Sequence, residues 1–508
     1  MQPYILGVDI GTGSVKAVAV GLDGEAIDSS QVHYPMLPTE TGFAEQDPEL
    51  IWQGFLKCIE EIVARLGQPK AISLSSAMHS LILVDAQGKP LTNMINWADT
   101  RSATVASALR SSPEGKNLYE QTGTPIYSMS PLTKIIWFRE NRKDLFRQTA
   151  KFISIKELVW FRLFGEFEID YSIASATGLF DILKFCWSEE ALKLAAISAN
   201  QLSKPVSTSY MRRDLKAGIA KIIGIKEALP WMIGANDGCL ANLGSGANQP
   251  NTAALTIGTS GAVRLASRKP LYNFAAMTFN YILDEQTYIC GGAINNGGLV
   301  LNWLLEKFMV KEALSAKDYE QLFDTIKTVP AGNDGLLFLP YLTGERTPLW
   351  DSNSCGVYFG IKTTHTQANF LKAALDGVCF AICHVLDALN QSPEKNEEIR
   401  VSGGFTASPV WVQLMADITG KKLTVVQAED ASAIGAAFLA IKTGKFNGFR
   451  LKDDAQINQT IQPNLEKYQV YSSYYRLFVK LYEDLKESMH QLAQINTAEQ
   501  FINPKILR

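Results

Sequence analysis

No sign of charge dominates this sequence. Its 48 Lys and Arg face 51 Asp and Glu, a formal net charge of −3, so no cationic excess is available to neutralise a polynucleotide backbone. An anionic ligand must be held by a local site. Long apolar runs are also missing: none reaches the roughly 18 residues of a membrane span. The first residues show no basic stretch followed by an apolar core and a cleavage site, so the expected compartment is the cytoplasm, without membrane or nucleic-acid partners. Cysteine is scarce and scattered, at 58, 186, 239, 290, 355, 379 and 383, an odd set that suits a reducing compartment. Cys379, Cys383 and His384 lie in "AALDGVCFAICHVLDAL", where four-residue spacing puts both thiols on one helix face. Further metal ligands are missing nearby, so the stretch reads as buried core and not as zinc.

What is present is an ordinary α/β pattern on a chain long enough for two to four domains. Residues 4–9 and 15–20 read as strands around a tight turn, "DIGTGSVK", and "LDGEAI" follows with an Asp-Gly turn. "PELIWQGFLKCIEEIVARL" (48–66) has helical apolar spacing after a proline start, and "AISLSSA" (71–77) is the next strand. The opening is echoed at "AALTIGTSGAVRLAS" (253–267), just after the turn-rich "GSGANQPNT" (244–252). The expected organisation is therefore two similar halves, 1–247 and 248–508. "ICGGAINNGGLVLNWLLEKF" (289–308) and "EIRVSGGFTASPVWVQLMADITG" (398–420) are strand-to-helix junctions with paired glycines, where helix amides can face an anion. "ASAIGAAFLAIKTG" (431–444) reads as a small-residue helix in close packing, and the last long helix shows no chemistry.

Neither Gly-Thr turn has P-loop spacing or the third glycine of the dinucleotide fingerprint. Each still offers clustered amides and hydroxyls, and two copies together suggest a cleft that grips a nucleotide from both halves. Asp9 before the first turn is placed for a magnesium ion, or is a hairpin surface Asp. Lys16 reaches a phosphate or is a solvated strand residue. Asp237, in "PWMIGANDGCLANLGSGA" (230–247), is a general base for an attacking hydroxyl or a helix N-cap. Met78 and His79, beyond a strand end, line a pocket or belong to core. Trp97, Asp99 and Arg101 in "INWADTRSA" pack a sugar face, or hold a structural Asp-Arg pair.

On these residues the chain resembles the FGGY family of carbohydrate kinases. "MSPLTKIIW" (129–137) and "GVYFGIKTTHTQANFLKAALD" (356–376) resemble its two signatures, the two Gly-Thr turns its phosphate motifs, and "VSGGFTASP" its adenosine motif. The resemblance implies a two-domain actin-like ATPase fold of duplicated ribonuclease-H-like α/β domains, with ATP and Mg2+ as cofactors and ATP and a small sugar as partners; homodimerisation is left open. It implies Asp237 as catalytic base and, with Asp9, as metal ligand. Gly11, Thr12, Gly13, Lys16, Gly258, Thr259, Gly298, Asn302, Gly403, Gly404 and Ser408 are implied to contact the nucleotide. Met78, His79, Trp97 and Asn236 are implied to contact the sugar. Within the family, "SSAMHSLI", "NWADTRSA" and "TPIYSMSPLTKIIWF" resemble the branch that makes 6-phosphogluconate, with xylulose phosphorylation second and a silent actin-like nucleotide binder as the non-enzymatic alternative. Tyr127 departs from that branch, which commonly has His there. A gluconate carboxylate needs a cation or several amides; Arg101, Lys134, Lys156 and Arg346 are the candidates.

Overall fold

The computed structural model describes residues 2–247, 252–309, 314–389, 398–426, 429–443, 446, 448–449 and 457–502. The chain divides into two compact units, Met1–Gln249 with Ala266–Cys290 and Ala428–Ala455, and Pro250–Leu265 with Gly291–Gln427 and Gln456–Arg508. The boundary expected at 247/248 adjoins residues 248–251, which lie outside the described residues.

Unit 1 begins with a three-stranded meander, β1 (Ile5–Ile10), β2 (Ser14–Val20) and β3 (Ala26–His33). In it Asp9 faces Lys16 across the first hairpin. Strand Ile72–Ser76 runs parallel to β1, and Trp231–Asn236 runs parallel to Ile72–Ser76. The helix expected over 48–66 forms over Pro48–Leu66, started by Asp47, whose side chain accepts from the Glu49 amide at 2.8 Å. Strand alternation divides the apolar residues between two cores. Leu6, Val8 and Ile10 pack in a cluster with Phe55, Ile59, Ile62 and Trp231. Ile5, Val18 and Val20 pack in another with Leu240, Ala433, Ala436 and Ala437.

That second face explains the small-residue helix, Ala431–Lys442. A Cβ added at Gly7 would lie 1.8 Å from the Ala433 carbonyl oxygen, at Gly244 2.1 Å from that of Ala431, and at Gly435 2.0 Å from that of Leu240. Main chain therefore meets main chain where β1, helix Asp237–Gly244 and helix Ala431–Lys442 cross. Sequence position puts this helix in the C-terminal half; its packing puts it in unit 1.

Unit 2 repeats the local plan. Thr252–Ile257 pairs antiparallel with Gly261–Ser267 and parallel with Glu398–Ser402, as β1 pairs antiparallel with β2 and parallel with Ile72–Ser76. Lys422–Val426 and Ile457–Ile461 extend the order. The helix Gln367–Leu389 is long and apolar enough to cross a membrane by composition, against the expectation that no run is, but 89% of its apolar window is buried inside the protein. Cys379 and Cys383 are buried on it, and burial pushes both thiols well above their usual range. Core is the role the spacing predicts.

Gly435→Ala is expected to destabilise the protein by about 1–3 kcal/mol or more, because its methyl meets main chain that cannot turn aside. Gly218→Ala, in open space, is the control; denaturant unfolding followed by circular dichroism compares them.

Candidate functional site

Unit 1 gathers the acidic candidates. Asp237 is the first residue of helix Asp237–Gly244, and the N-cap is its neighbour Asn236, whose Oδ1 accepts from the Cys239 amide at 2.8 Å. The capping alternative for Asp237 is thus taken by another residue. Asp237 keeps its side chain at the rim of the sheet, where Oδ1 accepts from the Gly238 amide at 2.8 Å. Asn236, expected at the sugar, is instead fully buried: its amide nitrogen reaches the Ser172 carbonyl at 3.4 Å and its oxygen caps the helix. Both ends of its amide serve structure.

Asp9, next to last in β1, accepts from Ser75 Oγ at 2.6 Å. Loss of hydration, and next the charge of Asp237, push its carboxyl up to about 7; Asp430 adds to this, while Ser75 and Lys156 oppose it. Lys16 is not free in solvent: half-buried, its ammonium pairs with Asp430, the residue before helix Ala431–Lys442. Among the described residues, no group of three His, Cys, Asp or Glu side chains is disposed to hold a metal.

The turn between β1 and β2 is held from behind. Tyr34 Oη donates to the Gly11 carbonyl, Gln46 Nε2 to the Thr12 carbonyl at 2.6 Å, and the Tyr34 amide to the Gly13 carbonyl at 3.2 Å. A Cβ on Gly13 would meet nothing within 4 Å, so the outer side of the turn is open to a ligand. Trp97 Nε1 donates to Thr12 Oγ1 at 3.0 Å, joining two motifs 85 residues apart, and the indole remains 40% exposed.

Met78 is half-buried against the second core. His79 is buried in a left-handed backbone conformation, φ 66°, unusual for a residue with a Cβ. Its Nδ1 lies 2.7 Å from the Ala176 carbonyl, which can only accept, so Nδ1 carries the proton and Nε2 takes the Tyr281 hydroxyl at 3.1 Å. The imidazole is therefore satisfied by protein at both nitrogens.

The four cations considered for a substrate carboxylate are all engaged. Arg101 bonds Glu45 at 2.5 Å and Asp99 at 2.8 Å and lies 3.9 Å over the Phe43 ring, which makes the Asp99–Arg101 pair structural. Lys156 bonds Asp170 at 2.7 Å and the Ala235 carbonyl at 3.0 Å. Lys134 bonds the carbonyls of His79 and Asn96 at 2.8 and 2.7 Å. Arg346 bonds Asn295 Oδ1 at 2.7 Å and the Ile294 carbonyl at 3.0 Å. Tyr127 is half-buried, its carbonyl accepting from the Ser130 amide at 3.0 Å.

Unit 2 contains a cavity of about 770 Å³. Gly258, Thr259, Gly298, Asn302, Gly404 and Ser408, drawn from three separate motifs, all line it. Gly403 sits just behind, turning the chain at φ 96° where a Cβ would strike the Ile257 carbonyl at 2.5 Å. The helix amides expected to face an anion at 297–299 do otherwise: Gly298 donates to the Gly258 carbonyl at 2.7 Å, and Gly297 and Leu299 to that of Thr259 at 3.1 Å. They brace the Gly-Thr turn instead. Ser408 caps helix Pro409–Thr419 while lining the cavity. Tyr319 and Phe323, four residues apart on helix Ala316–Ile326, supply an aromatic wall, and Tyr319 Oη donates to Asn302 Oδ1 at 2.7 Å. Sequence reading missed this wall; the Tyr–Phe pair at i, i+4 was the available signal.

A repeated hairpin-and-parallel-strand plan, an acidic sheet rim in one unit and a glycine-framed aromatic cavity in the other define a two-domain α/β phosphotransferase of the actin-like ATPase fold. The chain belongs to the FGGY family of carbohydrate kinases, whose N-terminal domain model matches residues 4–244 and whose C-terminal domain model matches 253–443. It is 38% identical over 504 residues to a gluconokinase of Bacillus licheniformis, covering 97% of this chain and 98% of the relative. Among solved structures it resembles a gluconate kinase from Lactobacillus acidophilus, with TM-score 0.91 and 30% identity over 97% of this chain and all of the other. A ligand-bound xylulose kinase from the same organism matches with TM-score 0.91 and 30% identity over 96% of this chain and all of the other.

Gly298→Ala places a Cβ 2.7 Å from the Gly258 carbonyl and displaces the turn. Calorimetric titration with ATP is expected to show affinity weakened about tenfold or more, a loss of about 1.4 kcal/mol, with the far-ultraviolet spectrum unchanged.

Proposed function

We propose that this chain is an ATP- and magnesium-dependent gluconokinase that phosphorylates D-gluconate on its 6-hydroxyl. The 38% identity to a gluconokinase along nearly the whole of both chains carries the choice of substrate. Asp237 is the base: freed from capping duty by Asn236 and oriented by the Gly238 amide, it takes the hydroxyl proton as the sugar oxygen bonds to the γ-phosphorus and the bond to the β,γ-bridging oxygen breaks, releasing ADP. Gly11, Thr12, Gly13, Gly258 and Thr259 contact phosphates. The Tyr319–Phe323 wall and Gly404 receive adenine and ribose, and Gly403 shapes the turn behind them. Met78 and the exposed Trp97 face the sugar, with His79 acting through its fixed main chain.

The donor set at Asp9 and Asp237 fits magnesium. Burial, and next the charge of Asp237, raise the proton affinity of Asp9, and with Lys16 drawn off to Asp430 the place is short of positive charge. When bound, the ion neutralises phosphate charge.

A second reading, xylulose phosphorylation, is favoured by one observation. Arg101, Lys134, Lys156 and Arg346 all have internal partners, and a neutral ketose needs no cation. ADP release from ATP and magnesium against gluconate, xylulose, ribulose and glycerol separates the readings. The highest kcat/KM is expected for gluconate; preference for xylulose overturns that substrate, and no turnover overturns the kinase reading. Asp237→Asn is expected to lower kcat by about 10³ with ATP affinity unchanged; retained turnover removes Asp237 from the mechanism.

A further inference from the structure

Lys134 is a lysine without solvent exposure, on a helix, Pro131–Asn141, that is buried along most of its length. Such a residue needs a reason, because withdrawing an amine from water is costly unless its hydrogen-bonding capacity is used. Both acceptors that Nζ meets are main-chain carbonyls of loops that follow strand ends, His79 at 2.8 Å and Asn96 at 2.7 Å. Each belongs to a wall assigned above to the sugar. The His79 carbonyl closes the Met78–His79 pair, in which His79 is held at φ 66°. The Asn96 carbonyl belongs to the peptide that leads into Trp97, whose indole holds Thr12 of the first phosphate turn at 3.0 Å.

We infer that Lys134 is a positioning residue for the sugar subsite, one amine tying the His79 and Trp97 walls to a common point behind them. This rests on the assignment of those walls to the sugar under the proposed function. The backbone conformation of His79 follows from it. A left-handed residue with a Cβ is strained and persists only where its surroundings over-determine it. Here the imidazole is fixed at both nitrogens and the carbonyl is fixed by Lys134. The geometry tolerates either charge state. Burial pushes the ammonium down to about 7, against the attraction of Asp99 and helped by the repulsion of Arg101, and a neutral amine still carries the two N–H bonds that the two carbonyls need. The role is that of a donor pair at fixed spacing, which is why a lysine pointing away from substrate belongs at the site.

Lys134→Met keeps an unbranched arm, one atom shorter, and removes the donors. Lys134→Gln keeps two donors on an arm one atom shorter, so it reaches the two carbonyls incompletely. Initial rates with the preferred sugar and with ATP are measured for both variants, and ATP binding by calorimetry reports folding. Lys134→Met is expected to raise the sugar KM by about tenfold or more, with the KM and dissociation constant for ATP within about twofold of wild type; Lys134→Gln is expected to fall between. A merely structural lysine would change the two KM values together, or neither. If the methionine variant does not fold, the glutamine variant decides: a sugar KM raised at least about threefold with ATP unaffected supports the inference. A sugar KM within about twofold of wild type in any folded variant overturns it. Failure of the wild type to phosphorylate any sugar would strike the kinase reading itself, and this inference with it; wild-type turnover with indifferent variants strikes this inference alone.

Discussion

Three stretches of main chain in van der Waals contact set the geometry of the acidic site. At Gly7, Gly244 and Gly435 there is no room for a methyl group, because carbonyl oxygens of crossing elements occupy the place where a Cβ would stand. Each crossing element also carries a charged residue close to the contact. Asp9 lies two residues beyond Gly7 on β1, Asp237 opens the helix that ends at Gly244, and Asp430 immediately precedes the helix that contains Gly435. A larger residue at any of the three contacts would push the crossing elements apart, and with them the carboxylates they carry.

Close approach also concentrates charge. Burial first, and then the charges of Asp237 and Asp430, push the Asp9 carboxyl up to about 7, and Lys16 is committed to Asp430. The same economy of small residues appears in unit 2, where Gly297 and Gly298 come so close to the Gly258–Thr259 turn that their amides bond its carbonyls. In both units the Gly-Thr turn is braced from behind through its carbonyls. What remains outward is the face that an anion can use.

Much of this was legible in the sequence where the signal was local. The hairpin, the helix at 48–66, the echo at 253–267 and the three motifs that meet in the unit 2 cavity are each written within about twenty consecutive residues. What failed needed distance. The helix at 431–442 reads as closely packed, but its partners lie some 190 and 430 residues earlier, and nothing in its own residues names them. Asn236 and Asp237 are adjacent polar residues at a strand end; only the backbone path shows that the first is the cap and the second opens the helix. The Asp99–Arg101 pair and Lys156 announce charge in the sequence, while their burial and internal partners appear only on folding. The aromatic wall at Tyr319 and Phe323 lay on a helix with no motif to draw attention to it.

The central claim is that the crossing of small residues holds Asp237 as the base for a sugar hydroxyl. A crystal structure of the protein with gluconate and a non-hydrolysable ATP analogue tests it most directly. The account predicts the 6-hydroxyl within about 3 Å of an Asp237 carboxylate oxygen, the sugar against Met78 and Trp97, and the adenine beside Tyr319 and Phe323. A sugar bound with no hydroxyl in reach of Asp237, or an adenine outside that cavity, would contradict it.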